Sequence, residues 1–324
     1  MAPENEFSPK ISIITATYNA ENFIDNLIVS LKSQTCANWE WIVVDDGSND
    51  GTFARLKHEM EKDERIKVFQ KDHEGIPALS RNVGIEKASS ELLAFCDHDD
   101  FWVPEKLEIQ ISAFRKFPKA SIVHTERVIW QNKHLPEKWP FIRWDNSNFK
   151  LQPISKCLLR ECKITSSSTM IPRHLMKKIG GFNPASTGVD DYHAYIKLAF
   201  LGDIVSINLP LTYYYWHEGN LSHVKDIFAK GLTAMADELE KESIPPYVVR
   251  SIKAQALKRW GVVWLDKNPI RASKFFLRSA INSPSFKTIL LMKLALIFSF
   301  LPVSLRTRLR VSLQNTFRPL KSLE

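Results

Sequence analysis

Acidic residues gather where apolar runs end. In "LLAFCDHDDFW" (92–102) an apolar stretch leads into Cys96, and Asp97, Asp99 and Asp100 then fall within four positions. At about 6 Å and an effective dielectric near 20, each such carboxylate pair repels by roughly 3 kcal/mol. The cluster calls for a positive partner. A hard divalent ion such as Mg²⁺ or Mn²⁺ takes one or two carboxylates and fills its other positions with phosphates and water. Two carboxylates at i and i+2 after a strand can face one such ion. The same acids also describe a solvated turn that caps a helix starting near Pro104.

"VVDDGSNDGT" (43–52) is the second cluster. Asp-Gly pairs form turns, and Asp45 and Asp46 fit a turn on that ground alone. A carboxylate at a strand end can instead accept a hydrogen bond from a nucleobase imide N–H, with a close backbone approach at Gly47. Arg81, followed by Asn82, reads either as a surface salt bridge or as a contact to a nucleotide phosphate, which Arg suits. His217 follows a Tyr-rich strand and reads as an interior histidine, or as a contact to metal or pyrophosphate. Asp190 and Asp191 open a helix, where carboxylates favour the macrodipole. Asp190 serves there as the cap, which leaves Asp191 to act as a general base.

The elements that must position these groups alternate. "ISIITAT" (11–17), "RIKVFQKD" (65–72) and "ELLAFCD" (91–97) read as strands and "WEWIVVDDGSNDGT" (39–52) as a strand running into a turn, with helices at "NAENFIDNLIVSLKSQT", "FARLKHEMEKD" and "IPALSRNVGIEKAS" between them. Pro77 is tolerated in the first turn of the third helix. Such alternation specifies βαβ units and a parallel, doubly wound sheet. Ligands of these sheets sit at the carboxyl ends of the strands, where all five acids of the two clusters lie. A further helix (104–117) and strand (121–130) follow, then an irregular Trp- and Pro-rich stretch over 134–163 that reads as an acceptor-side loop. A strand at 165–172, helices at 174–182 and 190–202, and a β-rich segment at 210–222 end the domain.

The chain has 324 residues, 44% hydrophobic and 25% charged, an ordinary globular composition. Cys36, Cys96, Cys157 and Cys162 lack zinc spacing and read as reduced thiols of a cytosolic protein. The first residues show neither a basic n-region nor an apolar h-region, so no secretory signal is expected. The net charge of +8 is uneven: residues 225–324 hold 18 Lys+Arg and 7 Asp+Glu, a net of +11, which leaves −3 for residues 1–224. A basic appendage with an anionic partner fits that split better than a whole-chain nucleic-acid binder.

Over about residues 10–222 the sequence resembles the family 2 glycosyltransferases. "PKISIITATYNAENFIDNLIVSLKSQT" resembles the family's opening strand and helix, and "WEWIVVDDGSNDGT" its nucleotide-binding strand end. "GIPALSRNVGIEKASSELLAFCDHDD" resembles the stretch from its Arg-Asn helix to its metal-binding Asp-x-Asp. "SSSTMIPRHLMKKIGGFNPASTGVDDYHAYIKLAFLG" resembles the acceptor-side segment that carries the catalytic acid. The resemblance implies an α/β chain of the A-type glycosyltransferase fold, a mostly parallel doubly wound sheet with helices on both faces and a C-terminal helical appendage. It implies that Thr15, Tyr18, Asp45, Asp46, Arg81 and Asp97 bind a nucleotide, with uracil as the base. It assigns Asp97, Asp99 and His217 to a Mn or Mg ion and Asp191 to the catalytic base. The chain departs from the family pattern at His98 (commonly small), Asp190 (usually Glu) and Trp216 (often basic).

The implied reaction is inverting transfer of a sugar from a nucleoside-diphosphate sugar, UDP-linked, to a hydroxyl of a glycan or lipid-linked acceptor in bacterial surface polysaccharide synthesis. A nucleotidyltransferase is the rival enzyme, but it usually carries a Gly-rich loop where this chain has "TYNAEN". A haloacid-type phosphatase wants Thr or Val where Phe101 stands. A non-catalytic anionic-lipid or nucleic-acid binding module would leave the aligned carboxylates unexplained.

The expected organisation is a flexible stretch at 1–9, a transferase domain at 10–224, a helical region at 225–287 and an amphipathic basic tail at 288–324. In the tail, Ile289–Pro302 is apolar except for Lys293 and Ser299, and Arg306, Arg308, Arg310, Arg318 and Lys321 follow. Fourteen residues are too few to span a bilayer. The tail reads either as a core helix with a solvated basic end or as a helix lying on an anionic membrane. The second reading places a cytoplasmic protein peripherally on the inner face of the cell membrane, with no nucleic acid among its partners.

Overall fold

The computed structural model describes residues 11–159, 161–220, 224–265 and 267–301. The expected flexible stretch at 1–9 and the five basic residues from Arg306 to Lys321 lie outside the described residues. The chain divides into two compact units. One holds the chain up to Pro184 together with Asp190–Glu218; the other holds Ala185–Val189 and the chain from Gly219 onward.

The first unit opens with β1 (Ile11–Thr17), α1 (Ile24–Lys32), β2 (Trp39–Asp45), α2 (Thr52–Lys62), β3 (Ile66–Gln70), α3 (Pro77–Lys87) and β4 (Leu92–Phe95). These strands pair in parallel in the order β3-β2-β1-β4, as the alternating pattern requires. Every residue of β2 is buried, which explains a continuous apolar run in place of alternation. Gly84 brings α3 hard against β1: a Cβ there would sit 2.6 Å from Ile14 Cγ2. That close approach sets the height of Arg81 above the strand ends.

Beyond β4 the sheet becomes mixed. β5 (Phe101–Trp102), α4 (Lys106–Lys116), β6 (Ala120–Trp130), β7 (Phe149–Leu151), α5 (Ile154–Cys157), β8 (Thr169–Pro172), α6 (Arg173–Lys178), α7 (Asp190–Leu198) and β9 (Asp203–Tyr215) follow. β8 is antiparallel to both β4 and β6, β9 runs parallel to β6, and β5 and β7 pair antiparallel with β9. The last strand starts seven residues before the expected 210. Pro210 hides it, because the register with β6 slips on both sides of the Glu126–Pro210 pair, a bulge that accommodates a residue without an N–H.

The Trp-rich stretch is not the free loop that its composition suggested. Leu135, Trp139, Ile142 and Trp144 pack on the main core, and β7 extends the sheet. All four cysteines are free thiols.

The second unit contains α8 (Lys225–Lys241), α9 (Pro246–Trp264), α10 (Pro269–Asn282) and α11 (Phe286–Phe298). Leu265, Ala272, Phe276, Ala295 and Phe298 form a small core there. The segment Ala185–Val189 packs within this unit. Gly188 takes φ +84 with Ile227 against it, and a Cβ on Gly231 of α8 would meet the Thr187 carbonyl at 2.5 Å. No helix among the described residues is long and apolar enough to cross a membrane.

Candidate active site

The carboxyl ends of β1, β2 and β3 form one side of the site. Asp45 is fully buried and saturated by its own neighbourhood. Its carboxylate accepts from Thr17 Oγ1 (3.0 Å), from the Ser48 N–H (3.0 Å) and hydroxyl, and from Gln70 Nε2 (3.1 Å). Asp46 accepts from Lys71 Nζ at 2.5 Å and from the N–H groups of Gly75 (2.8 Å) and Glu74. Burial alone would raise its pKa, but Lys71 and these N–H groups outweigh it and hold the carboxyl below its ordinary value. Tyr18 stacks on His73 with ring centroids 4.0 Å apart and planes 19° apart, and His73 Nδ1 lies 2.9 Å from the Asp46 carbonyl oxygen. Asn19 ties the loop after β1 to the loop after β2. Its N–H donates to Ser48 Oγ, and its side-chain oxygen accepts from the Asn49 N–H. Thr15 lies apart from this group: it is fully buried, and its hydroxyl accepts the Trp41 indole N–H at 2.9 Å.

The loop after β4 forms the other side. Arg81 on α3 donates to Asp97 Oδ1 at 2.7 Å and to Asp190 Oδ2 at 2.8 Å. One guanidinium therefore ties the β4 loop to the first turn of α7. Burial would lower the Arg81 pKa, but the charges of Asp97 and Asp190 outweigh it and raise it. Asp99 Oδ2 lies 3.0 Å from His217 Nε2. Burial pushes the Asp99 pKa up, while the His217 hydrogen bond and the charges of His98 and His217 bring it below its ordinary value. Phe23 and Tyr215 stack on the His217 ring at centroid distances of 4.8 and 5.2 Å and fix its plane. Asp100 is buried beneath the loop. It accepts from the Tyr215 N–H at 3.0 Å and from the Ser167 hydroxyl, which itself accepts the Asp97 N–H at 3.0 Å. Burial, then Asp99 and Asp97, push its pKa well up.

The Asp190 carboxylate, at the start of α7, is paired with Arg81. Asp191 accepts the N–H of Tyr192 at 2.7 Å. Burial first, then the charge of Asp190, push the Asp191 pKa up to about 7, with Arg81 opposing. A carboxylate with that pKa can take a proton near neutral pH.

The donors present fit a Mn²⁺ or Mg²⁺ ion that keeps an incomplete protein shell. Asp99 and His217 already converge, and Asp97 stands on the same loop. Among the described residues no three His, Cys, Asp or Glu side chains form a full cage, so phosphate oxygens and water would complete the shell.

Residues 12–179 match the family model described as Glycosyl transferase family 2. The chain belongs to that family. The chain is 32% identical over 198 residues to the UDP-Glc:alpha-D-GlcNAc-diphosphoundecaprenol beta-1,3-glucosyltransferase WfgD of Escherichia coli, covering 61% of this chain and 73% of that protein. It is 40% identical over 104 residues to an uncharacterized glycosyltransferase of Haemophilus influenzae, covering 32% of this chain and 42% of that one. The chain thus spans less than half the length of the second relative. The fold of S. aureus TarS 1–349, solved also with UDP-GlcNAc, matches 95% of this chain and 93% of that one at a TM-score of 0.63 and 17% identity. A mannosyltransferase from Pyrobaculum calidifontis in complex with GDP-Man and Mn²⁺ matches 98% and 89% at a TM-score of 0.58 and 18% identity.

In this family 2 transferase the structure brings Tyr18, Asp45 and Asp46 to one side, and Arg81, Asp97, Asp99, Asp191 and His217 to the other. Sequence reading missed four neighbours. Lys71 and His73 follow β3, in a turn whose only signal is that it must return past β2. Asp100 looked like a third member of the acidic cluster, and Ser167 like one serine in a run of three. Their hydrogen bonds single out the last two: Asp100 accepts from Tyr215 and Ser167, and Ser167 accepts from the Asp97 N–H.

Proposed function

We propose that this transferase moves a sugar, with inversion, from a UDP-linked donor to a hydroxyl of a lipid-linked or glycan acceptor in bacterial surface polysaccharide synthesis. The observation that carries the reading is the Arg81 guanidinium spanning Asp97 and Asp190. It sets Asp191, a carboxylate poised near neutral pH, beside the loop that bears Asp97 and Asp99. The nucleobase takes the Tyr18–His73–Asp46 side, where the backbone is already knotted and little ordering remains to be done on binding. Asp99 and His217, with Asp97 on the same loop, would hold a divalent ion, which when bound would supply positive charge to the departing diphosphate.

Asp191 accepts the proton of the acceptor hydroxyl as the oxygen bonds to the anomeric carbon, and UDP leaves from the opposite face. Phe23 and Tyr215 keep His217 from turning away from Asp99. The E. coli relative is named for its action on a diphosphoundecaprenol-linked sugar, which supports a lipid-linked acceptor here, as does the apolar and basic stretch at 288–324.

Calorimetry with UDP, with and without Mn²⁺, tests the assignment. Asp99→Asn should abolish the Mn²⁺-dependent part of binding and leave the thermal transition in place, because an amide is a poor ligand for a hard cation. Unchanged metal-dependent binding in that variant would refute it.

A further inference from the structure

Helix α10 presents three stripes. Pro269, Ala272, Phe276 and Ser279 face the core of the helical unit. Ile270, Leu277 and Ile281, at i, i+7 and i+11, are 57%, 49% and 73% exposed. Arg271, Lys274 and Arg278, at i, i+3 and i+7, are exposed along the next stripe. Arg271, Lys274 and Arg278 line a groove of about 450 Å³ with Asn268, Ile270 and Phe275. An apolar stripe bordered by a basic one is the pattern of a helix that lies in a membrane interface.

The neighbouring helix repeats the arrangement. On α11, Leu291, Met292, Ala295 and Phe298 pack with the core around Phe276. Leu296 and Ile297 are 46% and 57% exposed, and Phe300, just beyond the helix, is 88% exposed. The described part of the tail, up to Leu301, is therefore part core and part surface, and α10 adds a second surface beside it. The charge is one-sided to an unusual degree. From Lys267 to Leu323 the sequence holds 11 Lys+Arg and no Asp or Glu. No acid of this stretch can neutralise the basic stripe. The segment 302–324, with five basic residues and Glu324 as its single acid, carries the wrong charge to cover it.

We infer that α10, with the exposed side of α11, docks on an anionic lipid bilayer, its apolar stripe entering the headgroup boundary and Arg271, Lys274 and Arg278 meeting the lipid phosphates. The inference rests on the membrane reading of the C-terminal tail and deepens it, by placing the contact on a folded face that begins before residue 288. Steric and charge terms act together here: apolar insertion needs the stripe to lie flat, and the cations reach anionic headgroups only in that pose.

Vesicle co-sedimentation of the full chain at low salt tests it, with phosphatidylglycerol-containing vesicles against phosphatidylcholine vesicles. Arg271 covers the Trp264 ring at 3.9 Å, so the first variant spares it. Lys274→Gln/Arg278→Gln should lower partitioning onto the anionic vesicles by roughly 30-fold. Ile270→Ser/Leu277→Ser/Ile281→Ser should lower it on both vesicle types. UDP affinity and the thermal transition of both variants should match those of the unaltered protein. Variants that sediment like the unaltered chain would overturn the assignment to α10 and leave the tail as the anchor. An unaltered chain that stays in the supernatant would overturn the membrane reading as a whole. Displacement from vesicles by millimolar inorganic phosphate would replace the bilayer with a soluble anion, and so would also overturn it.

Discussion

The two sides of the site hold their carboxylates by different means. At the ends of β1–β3, Asp45 and Asp46 are held largely by local groups: Thr17, Ser48, Gln70 and the N–H groups of Glu74 and Gly75, with Lys71 and the His73 ring also against Asp46. Beyond β4, Asp97, Asp99 and Asp190 are held by the side chains of Arg81 and His217. The first side is a frame, since backbone donors cannot leave without unfolding a loop. The second is exchangeable, since side-chain cations can yield to a ligand that brings its own charge. Binding and turnover should therefore respond to mutation separately.

The largest expected effect falls on the exchangeable side. Asp191→Asn should lower turnover by about 10²–10⁴, with UDP-sugar affinity nearly unchanged. With its pKa near 7, turnover of the unaltered enzyme should rise about tenfold per pH unit below that value and flatten above it. The stability sign runs the other way. A carboxyl whose folded pKa exceeds its ordinary 3.8 favours the fold while protonated, and that contribution is lost as pH rises through about 7. The Asn variant should accordingly gain in thermal stability relative to the unaltered protein above pH 7. A flat pH–rate profile combined with near-normal turnover in the variant would remove α7 from the mechanism.

Asp45→Asn probes the frame. Replacing one acceptor oxygen by an NH₂ sets a donor against the Thr17, Ser48 or Gln70 donors, at a cost of about 2–3 kcal/mol in unfolding free energy. Denaturant titration should show that loss, and turnover at low temperature should remain largely intact. A variant with full stability but lost UDP binding would make Asp45 a ligand and blur the contrast between the two sides.

The smallest effect belongs to Lys106, a fully buried amine whose Nζ donates to Gln110 Oε1 at 2.7 Å and lies 3.8 Å from the centre of the Trp102 ring. Burial pulls its pKa down to about 7. The penalty for charging it in the folded chain is complete below pH 7 and fades as pH rises toward 10.5, where the unfolded amine also loses its proton. Lys106→Met should stabilise the protein by about 1–2 kcal/mol at pH 7 and by less at pH 10. Melting curves at both pH values check this; destabilisation at pH 7 would mean that the amine is doing structural service through Gln110.

The parallel half of the sheet was legible because β1, β2 and β4 are buried on both faces. Ile11–Thr17 reads as a strand at its observed limits, and the second strand starts where expected, at Trp39. The mixed half was less so. β5 is two residues long, Phe101–Trp102, too short to show any period, and Pro210 concealed the first half of β9. The acidic clusters and Asp191 could be picked out by type and position. The Arg81 bridge could not, since Asp97 and Asp190 lie 16 and 109 residues away and only the packing of α3 on β1 brings all three together. Thr15 and Thr17, two positions apart on β1, share one face of the sheet, and both are buried. Composition says nothing about which hydroxyl meets Asp45, and it is that of Thr17.

The segment Ala185–Val189 gives the helical unit a hereditary stake in the active site. That unit is entered twice by the chain, and its first visit ends one peptide bond before Asp190. A simple appendage can be lost, swapped or fused at a single linker. Here any exchange of the helices from Gly219 onward also strips Gly188 and Thr187 of Ile227 and Gly231, the residues that seat them. Recombination at that boundary would unseat the residues that lead into α7, so the two units are expected to be inherited, and to drift, together.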